Sequence, residues 1–384
     1  MKKFLSYVLT VLLTCAVTLG GVYLYTENDQ EYSKLHQLQS IIDAYFVEDT
    51  DKNKLEDAAA NAMVGALSDR WSYYMTAEAY QSYLETMNNA YVGVGMTVQI
   101  NPDGLGIDVI QVIEGGPAEA SGMKYGDVIT AVDGVNIAEM ELTQITSMVK
   151  GKAGTFVELT VLREDQELTV SVERKQIQTP VAKAQMLPDN IGLVTIVNFD
   201  SRCYEETVAA IETLLAQGAE SLIFDVRFNP GGYKKQLVNV LDYLLPEGDV
   251  FKSVNYDGKE SVDKSDAKCL QMPMAVLVNG SSYSAAEFFA AALREYDWAT
   301  VVGMQTCGKG YFQNCFELDD GSAVNISTGK YYTPKGVSLA EVGGLVPDVV
   351  VEVDDETNAA IYAGKLDPME DPQILAAIEA LKEQ

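Results

Sequence analysis

The sequence predicts a multidomain chain of mixed α/β and α+β class. An N-terminal apolar helix and a helical segment precede a small, partly open β-barrel and a layered α/β core. Three observations predict it. The chain has 384 residues, which at about 150 residues per domain makes two or three globular units. Apolar residues make up 47% and charged residues 22%, a globular composition that excludes a largely disordered chain. The texture then changes twice, from helical periodicity to short glycine-punctuated β runs near residue 91, and to alternating strands and helices near residue 173.

Lys2 and Lys3 precede an uncharged stretch from Phe4 to Tyr25, and the first acid is Glu27. At 1.5 Å per residue that stretch spans roughly 33 Å, enough for a bilayer core. The lysines on one side and acids on the other predict a transmembrane anchor over 1–26, N-terminus inside and body outside. A cleaved signal peptide is the alternative, but the apolar stretch is long for one and no small-x-small site closes it. Cys15 follows Thr14, a poor lipidation context. Residues 27–90 read as helical: Leu35, Leu38, Ile41, Ile42 and Tyr45 recur at helical spacing, and 54–67 is rich in good helix formers.

Residues 91–172 carry short β runs around one helical pattern at 140–150, as a small barrel would. From 173 to 355, buried strands such as "SLIFDVRF" and "MAVLVN" alternate with amphipathic helices, which reads as a layered fold with much parallel pairing. The segment 356–384 closes the chain as a helical tail.

Charge and rare residues exclude whole classes of chemistry. With 27 basic and 56 acidic residues the net charge is −29, so nucleic acid is not an expected partner. The single histidine, His36, excludes a multi-histidine zinc site, and its place on the first helix reads as surface or packing. Cys203, Cys269, Cys307 and Cys315 form no CxxC pair, so no metal is expected. Cys307 and Cys315 are spaced to bridge a hairpin in an oxidising compartment, and plain buried thiols are the preferred reading.

Three places in the α/β part bear on chemistry. "NPGG" (229–232) joins a strand to a helix; it reads as a simple turn or as a backbone donor site of the oxyanion-hole type. "VNGSSYSAAEFF" (278–289) puts Ser281, Ser282 and Ser284 at a strand–helix junction, where a serine is an N-cap or a nucleophile. "GMQTCGKGYFQ" (303–313) matches GxxxxGK, but Gly310 replaces the Ser/Thr that would hold magnesium, and a strand follows rather than a helix, so a phosphate loop is excluded. A serine hydrolase without histidine needs another base, and lysine serves when burial lowers its pKa. Cys307, Tyr311 and Phe312 are neighbours that permit such burial of Lys309. Gln313, an amide, would hold the amine without adding charge.

The order "FDVRFNPGG", "VLVNGSSYSAAE", "GKGYFQ", "YYTPKG" and "GGLVPDVVVEV" resembles the C-terminal processing (tail-specific) serine peptidases, over nearly everything after the apolar segment. The resemblance implies a ClpP/crotonase-like α/β peptidase core over 173–355. It implies Ser284 as nucleophile, 25 positions before Lys309 as general base, and Gln313 as the residue orienting that base. The N–H groups of Ala285 and of Gly231 or Gly232 would form the oxyanion hole. Tyr283 beside the nucleophile and Cys307 before the base depart from the family pattern. The barrel resembles a PDZ domain, whose loop Gly93, Val94, Gly95 and Met96 would capture a peptide's terminal carboxylate. The implied protein is a membrane-anchored, extracytoplasmic serine endopeptidase acting on C-terminal tails of protein substrates, without cofactor, its N-terminal helices resembling segments that mediate dimers. The alternative is a catalytically inactive, membrane-tethered PDZ scaffold.

Overall fold

The computed structural model describes residues 13–14 and 33–384. The apolar segment, Cys15 included, lies almost wholly outside them, and among the described residues no helix is long and apolar enough to cross a membrane. The chain divides into two units, 1–66 and 67–384. The first contains helices α1 (Ser33–Tyr45) and α2 (Lys52–Gly65), the second capped by Asp51, whose side chain accepts the Lys54 N–H at 3.2 Å. Neither helix fills the stretch 27–90 that the sequence predicts to be helical. The remainder of that stretch belongs to the second unit, as strand β1 (Tyr73–Met75) and helix α3 (Ala77–Met87).

The β-rich insert is closed off at its base. Strands β2 (Ala90–Gly93) and β9 (Lys175–Gln178) pair antiparallel, so the insert leaves and rejoins the chain at one point. Between them lie β3 (Met96–Ile100), β4 (Ile107–Val112), helix α4 (Pro117–Ala120), β5 (Val128–Val132), β6 (Val135–Asn136), helix α5 (Leu142–Val149), β7 (Phe156–Arg163) and β8 (Gln166–Glu173). The sheet runs β3-β4-β5-β7-β8 with β6 on β5. Alternate residues of β7 (Val157, Leu159, Val161) meet Ile107, Ile129 and Ile145 in one sealed cluster, the period-2 pattern of a half-buried sheet. The sequence reads 91–100 as one β run; the structure breaks it at Val94–Gly95, where Gly95 has φ +78. Helix α4 is a second helix in the insert, too short to show periodicity.

The core is built on a six-stranded sheet: β10 (Ala182–Leu187), β11 (Ile191–Ile196), β12 (Ser221–Asp225), β15 (Met274–Val278), β16 (Thr300–Gly303) and β19 (Val349–Val350). Only the β10–β11 pairing is antiparallel. Every residue of β12 and β15 is buried, as a parallel strand covered on both faces requires. One face (Leu222, Phe224, Val276) packs on helices α6 (Cys203–Ala216), α7 (Lys234–Leu244) and α8 (Ala285–Glu295). The other (Ile223, Ala275, Leu277) packs on the last helix, Pro372–Leu381. The segment read as a helical tail is therefore a layer of the core. A second sheet joins β1, β13 (Gly248–Asn255), β14 (Glu260–Ser265), β17 (Tyr311–Glu317) and β18 (Ala323–Tyr332), in the order β1-β18-β13-β14 with β17 on β18.

Candidate active site

Strand β12 ends at Asp225 because its next residues turn to build the site. Arg227 is buried and returns to Asp225 in a bidentate pair (Nε–Oδ1 2.9 Å, Nη2–Oδ2 2.6 Å), and its Nη1 also reaches Asp371 at 2.8 Å and Gln373 at 2.9 Å. Asp371 caps the last helix through the Gln373 and Ile374 N–H groups. The Asp-x-Arg part of the motif thus ties the end of a central strand to the helix behind the sheet.

Two glycines then bring the chain against the serine junction. Gly231 has φ +89, and a Cβ there would stand 2.7 Å from the Ser284 Cβ and 2.9 Å from the Ala285 nitrogen. Gly232 has φ +148, and its Cβ would fall 2.3 Å from the Phe199 carbonyl oxygen. No other residue fits either position without moving backbone. The Gly231 N–H donates to the Asn229 side chain at 2.8 Å. It is therefore engaged within its own turn, which leaves Gly232 as the better partner for Ala285 of the two named from the sequence.

The three serines have different places. Ser282 is buried, donating to the Val226 carbonyl at 2.7 Å and accepting the Asn279 N–H at 3.0 Å. Ser281 is exposed, with its N–H on the Asn279 side chain. Ser284 stands at the N-cap of α8 with φ 58 and ψ −126, a conformation that costs a non-glycine residue about 1–3 kcal/mol and is held only where surroundings over-determine it. Its Oγ accepts a hydrogen bond from the Tyr331 hydroxyl at 3.1 Å. Burial pushes the Tyr331 phenol far above its usual range, so it remains a donor.

Glu287 joins the two halves of the site. It is fully buried, and its carboxylate accepts four donors: the Ser284 N–H (3.0 Å), the Lys309 N–H (3.0 Å), the Gly308 N–H (2.7 Å) and the Thr306 hydroxyl (2.5 Å). One side chain thereby fixes the lysine loop against the N-terminus of the serine's helix. Burial raises the Glu287 pKa against those hydrogen bonds.

Lys309 is part-buried, and desolvation pulls its amine down to about 8, opposed by the charges of Glu287 and Asp69 and assisted by that of Arg70. The amide at 313 adds no charge to this lysine, but Glu287, distant in sequence, does. The amine lies 4.7 Å from the centre of the Trp71 ring and 5.9 Å from that of Tyr283. Among the described residues no hydrogen bond joins it to Gln313, whose amide nitrogen donates to the Tyr311 carbonyl at 3.1 Å and the Ser327 hydroxyl at 3.0 Å. Tyr283, unusual beside the serine, packs on Trp71 with ring centres 5.8 Å apart. Cys307 and Cys315 are free thiols, as are Cys203 and Cys269, and only Cys203 is fully buried. Arg70 places a guanidinium nitrogen 3.5 Å from the Cys307 sulfur.

Ser284, Lys309, Ala285, Gly232 and Gln313 all line one cavity of about 1100 Å³. The PDZ-type loop lies apart from them. In it the Val94 carbonyl accepts the Ala118 N–H at 2.8 Å and the Gly95 carbonyl accepts the Ile113 N–H at 2.9 Å, which pins Gly93–Met96 to α4 and to the end of β4.

Glu287 was legible, since Ser-x-x-Glu before an apolar run is a capping-box pattern. Trp71 and Arg70 carried no sequence signal, and Tyr331, although it opens the quoted "YYTPKG" block, was given no role there. They reach the cavity through β1 and β18, which pair Tyr73 with Asn325, more than 200 positions away.

Comparison with known proteins agrees with this organisation. Residues 190–351 match the model of peptidase family S41, residues 90–173 that of a PDZ domain, and residues 22–79 that of the N-terminal domain of the activating protease CtpB. The chain is 32% identical to the carboxy-terminal processing protease CtpA of Bacillus subtilis over 370 residues, covering 92% of this chain and 79% of that protein. It is 30% identical to the carboxyl-terminal-processing protease of Synechocystis, covering 83% and 76%. A solved Bacteroides fragilis structure described as an S41 protease superposes with a TM-score of 0.55 at 15% identity, covering 88% and 93%, a likeness of fold.

Proposed function

This chain belongs to the carboxy-terminal processing proteases of peptidase family S41 and is a serine-type peptidase with a PDZ domain, and we propose that it cuts the C-terminal tails of protein substrates by Ser284–Lys309 catalysis. The observation that carries the reading is the shared cavity, in which a serine at a helix N-terminus and a lysine with a depressed pKa stand together without histidine.

The chemistry follows from those groups. The neutral Lys309 amine leaves the Trp71 face and takes the Oγ proton as Ser284 attacks the scissile carbonyl. The N–H groups of Ala285 and Gly232 receive the developing oxyanion, helped by the positive end of α8. Collapse expels the amine product, which takes its proton from the Lys309 ammonium and leaves an acyl-enzyme. Lys309 then deprotonates the water that hydrolyses the ester, and the proton returns to Ser284. Gln313 lines the same cavity, and it orients the amine once the lysine has turned.

The loop Gly93–Met96 takes the terminal carboxylate of the tail, and the tail adds as a strand beside β3. The uncharged stretch Phe4–Tyr25 anchors the protein in the cell membrane by a single pass, with the peptidase extracytoplasmic; this part of the reading is supported by sequence alone. The N-terminal helices are proposed as a dimer contact on the same footing.

The test uses purified full-length protein, a tailed protein substrate and a fluorophosphonate probe. Cleavage and labelling are both expected in the wild type, and both are expected to vanish in Ser284→Ala. Lys309→Ala should abolish turnover with the fold retained by circular dichroism. Wild-type-like turnover in either variant would refute the mechanism.

A further inference from the structure

The cavity that holds Ser284 and Lys309 is lined by no aspartate or glutamate, while Arg70, Lys234, Lys259 and Lys309 all face it. That is the reverse of the whole chain, where acids outnumber bases 56 to 27. We propose that the cleft selects peptide segments bearing acidic side chains next to the scissile bond. The inference rests on the peptidase reading and names its substrate class.

The four cations do not contribute equally. Lys309 is reserved for proton transfer. Lys234 already pairs with Asp263 at 2.8 Å. Arg70 and Lys259 remain. The Arg70 guanidinium lies 4.3 Å from the centre of the Trp71 ring, on the same aromatic group that the Lys309 amine approaches. Its recorded polar contact is the Cys307 sulfur, and among the described residues it makes no ion pair with a carboxylate. Lys259, exposed at the β13–β14 hairpin, makes none either. Two cations without an ion pair among the described residues therefore border the cavity, one beside Lys309 and one on the hairpin. Aromatic walls supplied by Trp71, Tyr283, Phe288 and Phe312 lower the local dielectric and focus their field. An acidic side chain of a bound peptide would supply the carboxylate that the protein omits, and a basic one would meet like charge.

The exterior works against encounter with acidic ligands, so the comparison belongs at about 0.15 M salt, where charges beyond roughly 8 Å are screened. Three peptides of one length, differing only in the two residues flanking the scissile bond (both Glu, both Gln or both Lys), are compared by kcat/KM. The expected order is Glu, then Gln, then Lys, with the ends separated by about tenfold. Lys259→Glu is expected to cut the Glu-to-Lys ratio by about threefold or more. Lys365→Glu makes the same change in net charge outside the cavity and should leave the ratio as it was. Equal or reversed rates for the Glu and Lys peptides, with the Gln peptide cut normally, would overturn the acid preference and leave the peptidase reading standing. A Glu preference that survives both Lys259→Glu and Arg70→Gln would overturn its assignment to the cleft. If the wild type cuts none of the three and takes no fluorophosphonate label, the peptidase reading itself fails and this inference with it.

Discussion

The Lys309 amine rests 4.7 Å from the centre of the Trp71 ring, while the Ser284 Oγ accepts the Tyr331 hydroxyl. Ser284 and Lys309 line one cavity, yet each is held by an aromatic residue rather than by the other. An indole face favours the charged amine by about 0.5–2 kcal/mol, and burial opposes it. In the proposed mechanism Trp71 therefore sets how readily the lysine becomes neutral and turns toward the serine.

Trp71→Leu keeps apolar bulk and removes the π face. Loss of an interaction with the charged form lowers the lysine pKa, so the acid limb of kcat/KM against pH should move to lower pH, by up to about one unit. An unmoved limb would mean that the ring only fills space.

Glu287→Gln keeps the shape of the side chain and turns one of its oxygens into a donor. Each oxygen now accepts two hydrogen bonds, so the amide must face two donors with its own. A stability loss of about 2–4 kcal/mol is expected in urea unfolding, and activity should fall with it. Because the substitution also removes a charge that raises the lysine pKa, the residual activity should show its acid limb at lower pH. Wild-type stability would contradict the four-donor arrangement.

Arg227→Met should cost about 3–5 kcal/mol, since it strands Asp225 and Asp371 as buried, unpaired carboxylates. Protection of the last helix against hydrogen exchange should fall first. If that helix keeps its protection, the ion pairs do not hold it.

Thiol titration in denaturant should find all four described cysteines reduced. Without denaturant, exposed Cys315 should react before Cys203, which should react only on unfolding, because it is fully buried and its thiol is pushed up to about 12. A Cys307–Cys315 bridge would show as two missing equivalents.

What could be read from sequence were the parts whose chemistry is local. Ser284 and Lys309 each sit in a short block set by one turn, and the parallel strands announce themselves as continuous apolar runs. Trp71 and Arg70 were invisible, and the contact of Tyr331 with Ser284 was too, because they meet the site only through strand pairing between β1, β17 and β18, and pairing partners are not encoded nearby. Gln313 was assigned by resemblance to the lysine, but its side chain follows the register of β17 on β18 and finds Ser327. The last helix was drawn as a tail because nothing in its own pattern says which sheet face it covers; the Arg227–Asp371 pair decides that.

The pH dependence of kcat/KM between pH 6 and 10, on a neutral peptide, tests the Ser284–Lys309 mechanism most directly. A single-proton base with its pKa lowered to about 8 makes the rate rise about tenfold per pH unit on the acid side and level off above that value. A rate that is flat or falls from pH 6 to 9, in protein that stays folded, would contradict it.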